Sequence, residues 1–294
     1  MAKKLCEDPI TKSDIQKYVD RQSDFSFELD TLRRVHDCGL DCEHGGTYRD
    51  PVTGKNREFD IRAISSTEKM EIRFSIECKN IRENYPLMLH TVERKRSECN
   101  TNFLFVNNKN YRSNGQLYKH VRTRKLPEIY SLYTEGEEVA KSIAQIGKYS
   151  LEDFKSSGSE IFDRVSQATN SAYELIHSVS KTRVGTRLYL VLPILVVPDN
   201  MLWKVSFNND GSQNGEPERV ASISYFINQE WKVGNPLTKD NYSYTMSHLE
   251  VVTSSELGQF LCQRIPDFVN SLPPKEEILS RRVPDHIATN RICV

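Results

Sequence analysis

Two neighbouring stretches carry the clearest strand alternation in the chain. Over Glu58 to Ile64, Phe59, Ile61 and Ala63 face one way, and Asp60 and Arg62 the other. Over Glu71 to Lys79, Ile72, Phe74, Ile76 and Cys78 share an apolar face, while Arg73, Ser75, Glu77 and Lys79 share a polar one. The link from Ser65 to Met70 suits a hairpin with its turn near Thr67 and Glu68. From Ser159 to Lys181 the period becomes helical, with Ile161, Val165, Ala168, Ala172, Leu175, Ile176 and Val179 recurring at threes and fours. Leu188 to Val197 then runs apolar throughout, as a strand buried on both faces does. A long helix between two strands is the crossover that a parallel or mixed sheet needs.

Elsewhere the pattern is sparser. A helix is predicted through Thr11 to Arg34, broken near Ser23. Its second part sets Phe25, Leu29, Leu32 and Val35 on one apolar arc, with Glu28 inside it. A carboxylate on a buried stripe is costly unless it is paired or meets a cation; a kinked helix that exposes Glu28 accounts for the pattern equally. Cys42 to Asp50 reads as the first strand, Pro51 to Gly54 as a turn, and Asn102 to Val106 as a short strand. Asn84 to Ser97 takes no assignment, and Glu137 to Ser156 is predicted helical. In the last third Leu202 to Asn208 and Arg219 to Asn228 alternate on either side of the turn-like run NNDGSQNGE. His248 to Thr253 is a further strand. Ser255 to Ile265 is an amphipathic helix that Pro266 ends or kinks.

Composition narrows the picture modestly. Charged residues make up 27% and hydrophobic residues 37% of the 294, enough for a core. Lysine plus arginine equals aspartate plus glutamate, 40 each, so net charge is silent about a nucleic-acid partner and local charge must carry that argument. The start, MAKKLCEDPITKSD, lacks the apolar stretch of a secretory signal. The longest apolar run, Leu188 to Val197, contains Pro193 and is too short to span a membrane. Seven cysteines without framework-like spacing predict reduced thiols in a cytoplasmic protein. No dinucleotide-binding glycine fingerprint, Walker sequence, HExxH or Gly-x-Ser-x-Gly elbow occurs.

Three groupings carry candidate chemistry. In the predicted hairpin Asp60 opposes either Ser75 or Glu77. It thus lies diagonal to Glu77 at roughly 7–8 Å or directly opposite at about 5 Å, with Lys79 on the same face. Carboxylate oxygens suit magnesium, which takes one or two from a protein. A lysine beside it can hold water or stabilise charge on a phosphate. The plainer alternative is a solvated strand face with a cross-strand ion pair. In VHDCGLDCEHGG, His36, Cys38, Cys42 and His44 are zinc-ligand types, but the spacing fits no finger, and a helix end turning through Gly39 into a strand explains the run equally. From Lys109 to Tyr133 basic and aromatic residues alternate, among them Tyr111, Tyr118, Arg122, Arg124, Lys125, Tyr130 and Tyr133. Such residues can meet phosphates and bases, or simply form a solvated segment.

The order helix, strand, Asp60 strand, Glu77-Cys78-Lys79 strand, helix, buried strand resembles the PD-(D/E)xK nuclease superfamily, the restriction-endonuclease-like fold. The resemblance covers roughly Ser23 to Asn80 and Ser159 to Val197; Phe59 stands where the family's name has proline. It implies an α/β (α+β) core with a central mixed sheet flanked by helices over residues 1–198, an insertion at about 82–158, and a strand-rich extension over 199–294. It implies that Asp60, Glu77 and the Cys78 backbone carbonyl hold Mg2+ or Mn2+. Lys79 would serve the attacking water, and Glu28 would orient Lys79 or help a second metal. The expected function is metal-dependent phosphodiester hydrolysis in nucleic acid, DNA before RNA, with Arg122, Arg124 and Lys125 as contacts. The chain could act as a homodimer or as partner subunit of a defence or repair system. The alternatives are a nucleic-acid-binding or structural subunit of the same fold without turnover, and a protein-interaction module docking through the last third.

Overall fold

The computed structural model describes residues 7–107, 120–126, 128–148, 150, 153–157, 159–179, 187–234, 241–274 and 277–278. Two helices, α1 (Lys12–Gln22) and α2 (Phe25–Asp37), precede a meander of β1 (Asp41–Arg49), β2 (Asn56–Ser66) and β3 (Met70–Cys78). Then come β4 (Leu87–Glu93), β5 (Asn102–Asn107), β6 (His120–Lys125), β7 (Glu138–Lys148) and β8 (Phe154–Ser157). Helix α3 (Ser159–Val179) leads into β9 (Arg187–Val197). The last part supplies β10 (Leu202–Ser206), β11 (Glu218–Arg219), β12 (Ser222–Gly234) and β13 (Asn241–Thr253). It closes with α4 (Ser254–Gln259) and α5 (Ile265–Ser271), joined through a wide helical turn over Phe260–Arg264.

The strands form one mixed sheet in the order β1-β2-β3-β9-β13-β12-β7-β4-β10-β11, with β5 and β6 branching from β9 and β8 flanking β7. β2 and β3 are antiparallel, and β3 and β9 parallel, with α3 as the crossover between them. β9 is the centre. Its Leu190, Leu192, Ile194 and Val196 pack with Val35 and with Leu257, Phe260 and Ile265 on one face. Leu195 and Val197 pack with Ile161 and Val165 of α3 on the other. Burial on both faces explains the uninterrupted apolar run. Pro193, which has no N–H to donate, sits where the far edge of β9 changes partner from β5, at residues 187–189, to β13, at residues 194–197.

Three sequence expectations are corrected. The described residues of Glu137 to Ser156 are not helical: seven residue pairs tie β7 to β4, the unassigned stretch in which Leu87, Leu89 and Thr91 alternate inward. Sheet pairing outweighed the local period there. The apolar arc of α2 is rotated. Phe25 and Leu29 are exposed, while Phe27, Thr31 and Val35 face the core. Thr31 can lie there because its hydroxyl donates to the Phe27 carbonyl at 2.8 Å. Finally, not every cysteine is a thiol. Cys38, at the end of α2, is joined to Cys262 in the wide turn, across 224 residues of sequence.

That bond pins α2 to the C-terminal helices and closes a loop of most of the chain. Replacing both cysteines by serine should lower stability by about 2–5 kcal/mol, chiefly by releasing the unfolded chain. Urea unfolding with and without dithiothreitol checks this; identical curves for oxidised, reduced and double-serine protein would contradict it. Among the described residues no helix is long and apolar enough to cross a membrane.

Candidate active site

The β2–β3 ladder runs from Ser66↔Glu71 to Ile61↔Ile76. One further step in this register sets Asp60 opposite Glu77. The paired main chains stop there, and the Asp60 side chain takes over, its Oδ2 accepting from the Cys78 N–H at 2.7 Å. Glu77 is 1% exposed, and its Oε1 accepts from Arg164 Nη1 of α3 at 2.7 Å. Arg164 Nη2 also reaches Asp24 Oδ2 at 3.5 Å. The same Asp24 oxygen lies 3.9 Å from Lys79 Nζ. Asp24 stands at the N-cap position of α2 without capping the helix, so its carboxylate serves this cluster instead.

The polar face of β3 is therefore not solvated; all nine residues of the strand are buried. Helix α3 covers that face and answers it group by group. Besides Arg164 and Glu77, the Ser75 hydroxyl donates to the Ala168 carbonyl at 3.0 Å, and Arg73 Nη1 donates to Ser178 Oγ at 2.7 Å. Arg62 of β2 pairs with Glu174 at 2.9 Å. Buried polar groups are tolerated when each finds a partner.

Electrostatics sets Asp60 and Glu77 apart. Burial raises the Asp60 carboxyl to about 6; the Cys78 N–H works against that rise, Glu28 adds to it, and Arg164 opposes it. Burial also pushes Glu77 well above the usual range, with Asp60 adding to the rise and Arg164 opposing it. Burial disfavours the charge on Arg164, but Glu77, Asp60 and Asp24 outweigh it and hold the guanidinium charged. Because the folded Asp60 pKa exceeds its unfolded value, the folded state binds the extra proton. Stability is then lost as pH rises from about 4 through 6. The contribution is on the order of 2–3 kcal/mol. Asp60→Asn, which keeps an oxygen facing Cys78, should flatten the stability profile between those pH values in urea titrations. A profile of the parent protein already flat there would contradict the placement.

The other sequence candidates separate. Glu28 is near enough to raise both carboxyl pKa values, but its own contact is His44 Nε2 at 3.3 Å; Asp24 is a carboxylate that lies beside Lys79. The zinc grouping dissolves: His36 is exposed, Cys38 is disulfide-bonded, Cys42 is a free thiol and His44 pairs with Glu28. Arg122, Arg124 and Lys125 lie on β6, which pairs with β5, and β5 joins β9 at residues 187–189. Glu77 pairs with Leu195. The three basic residues are thus displaced by four to seven residues along β9, roughly 13–23 Å, on the far side of β9 from β3. Tyr111 and Tyr118 fall outside the described residues. Tyr133 is buried against His248, with ring centroids 3.7 Å apart, so it is a core residue and not a stacking platform.

Sequence reasoning missed Arg164 and Asp24. Arg164 carried a usable signal: three residues after Ile161 and four before Ala168, it is a charge inside the apolar stripe of α3, the same anomaly that pointed to Glu28 in α2. Among the described residues no three His, Cys, Asp or Glu side chains converge as a cage for an ion. Two carboxylates are, however, what a protein commonly gives magnesium. The residues fit a divalent cation on charge as well. Among the described residues three carboxyls (Asp24, Asp60, Glu77) gather with two basic side chains, Lys79 and Arg164, and the burial of Asp60 and Glu77 penalises their ionisation until more positive charge arrives. Comparison with protein-family models, with curated proteins and with solved structures found no match to the chain.

Proposed function

We propose that this cluster is the active site of a metal-dependent phosphodiester hydrolase acting on nucleic acid, DNA foremost, with a core of the PD-(D/E)xK nuclease type. The observation that carries the reading is the placement of Asp60 opposite Glu77 at the end of the β2–β3 ladder, with Lys79 two residues further on. The succession of α2 before these strands and α3 after them supports it.

Asp60 and Glu77 would be the hard anionic ligands, and the Cys78 carbonyl would be the third. Bound Mg2+ or Mn2+ supplies charge stabilisation at the phosphoryl group. Lys79, held by Asp24, donates a hydrogen bond to the attacking water or to a phosphate oxygen. Arg164 fixes the Glu77 rotamer and favours its ionised form. Glu28, with His44, adds negative potential at the rim of the site.

Incubation of labelled DNA and RNA with Mg2+ or Mn2+, against an EDTA control, tests the activity. Cleavage that EDTA abolishes is the expected result; intact substrate with both metals, together with no heat of metal binding in calorimetry, overturns it. Metal binding must displace protons from Asp60 and Glu77. The rise in melting temperature caused by magnesium should therefore grow between about pH 5 and pH 8, the window in which Asp60, at about 6, ionises. One observation favours a second reading: Arg164 already balances Glu77, so the cluster can stand as a closed ion-pair network in a nucleic-acid-binding subunit. Binding without turnover, with no thermal shift from magnesium, would select it.

A further inference from the structure

A cleft of about 1030 Å³ opens beside the carboxylate cluster. Its walls come from the β1–β2 turn, the first half of α3 and the bulged stretch of β12. Arg164 belongs to both places: its guanidinium touches Glu77 and Asp24, and its side chain lines the cleft. A ligand in the cleft therefore sits next to the proposed metal ligands.

The lining indicates what that ligand is. Phe162 of α3 lies in the cleft and is 65% exposed, an aromatic face left in water. Across from α3, the pairing of β12 with β13 shifts register between Phe226 and Gln229. Asn228 there has a positive φ of 44°, a conformation unusual for a residue with a side chain. A bulge of this kind re-aims side chains, and here Asn228 and Gln229 line the cleft. Arg57, an exposed cation at the start of β2, lies 3.9 Å from the buried Asp50, which also accepts from Val52, Thr53 and Asn170. An aromatic face, carboxamides that both donate and accept, and only scattered charge suit nucleobases better than a bare run of phosphates. Pockets of about 300–1,000 Å³ enclose drug-sized molecules, so this one takes one or two nucleotide units and not a duplex.

We infer that the cleft is a subsite for unpaired nucleotides flanking the scissile phosphate, so that the substrate is single-stranded or locally opened nucleic acid. The placement of the scissile phosphate rests on the proposed hydrolase reading; the cleft's preference for unpaired strand does not. Fluorescence anisotropy in EDTA, where no turnover can occur, tests it with labelled oligothymidylate, oligouridylate and a blunt DNA duplex. The protein should bind an unpaired strand more tightly than the duplex. Phe162→Ala should weaken single-strand binding about fivefold or more and leave duplex binding unchanged, while Phe162→Trp retains it. Phe162 is exposed, so neither change should disturb the fold. Equal affinity for duplex and single strand, or single-strand affinity unaltered in Phe162→Ala, overturns the inference. Strand binding that depends on Phe162 without any magnesium-dependent cleavage would support the subsite while the hydrolase reading failed. Magnesium-dependent cleavage of single strands that is indifferent to Phe162 would overturn the subsite and leave the hydrolase reading standing.

Discussion

Lys79→Ala is expected to bind magnesium nearly as well as the parent protein and to cut about 10²–10⁴-fold more slowly, the range of a lost proton-handling group. A charged ammonium donates hydrogen bonds and has no lone pair for a cation, so its removal touches the water and the phosphate but not the ligand set. Asp60→Asn and Glu77→Gln should behave differently and lose metal affinity and cleavage together, because each removes a hard anionic ligand. These amides are better tests than alanine. Each keeps a carbonyl oxygen that can still accept, from the Cys78 N–H at position 60 and from Arg164 at position 77, so the fold retains its buried bonds. Calorimetry of metal binding beside single-turnover cleavage separates the two behaviours. Full activity in Lys79→Ala, or a Glu77→Gln variant that still cuts with magnesium, would remove the mechanism.

Arg164→Met should cost about 3–5 kcal/mol of stability, the penalty for leaving one partner of a buried ion pair uncompensated. Glu77 has a side chain 2% exposed, so water cannot replace the guanidinium. The loss must also depend on pH. Without Arg164 the folded Glu77 pKa rises further above its unfolded value. Stability then falls as pH climbs from the usual carboxyl range, and the deficit against the parent is larger at about pH 8 than at about pH 5. Adding Glu77→Gln to Arg164→Met should return part of the loss, since a neutral amide tolerates the site. Arg164→Lys should rescue less than its charge suggests, because one ammonium cannot serve Glu77 and Asp24 with the geometry of a planar fork. Urea unfolding of the parent and these variants at the two pH values gives the coupling. A cost below about 1 kcal/mol would place the pair among ordinary surface ion pairs.

The residues that make the candidate site were readable to different depths. Strands β2 and β3 followed from alternation, and α3 with β9 from a change of period and a doubly buried run, because each pattern reflects burial by the element's own neighbours. The face of β3 that bears Glu77 was ambiguous, since a polar stripe looks the same whether water or a polar helix covers it. Only the chain-distant Arg164, Ala168 and Ser178 decide between the two. Helix α2 misled because Thr31 hides its hydroxyl in its own backbone and packs as an apolar residue would. β7 was lost because its partner β4 lies far upstream in the chain. The Cys38–Cys262 bond left no local trace at all.

The interleaving of the sheet also constrains how the molecule comes to exist. The carboxylate pair lies on β2 and β3, beside β9, yet the neighbour that closes the far edge of β9 over its last residues is β13, made of residues 241–253. During synthesis the central strand therefore waits, apolar on both faces and unpaired along part of one edge, until the last part of the chain has emerged. Such an edge is a template for other chains, and pairings this distant in sequence form slowly. Growth conditions that slow translation or supply chaperones should raise the yield of active protein more than they would for a chain whose sheet is built in sequence order.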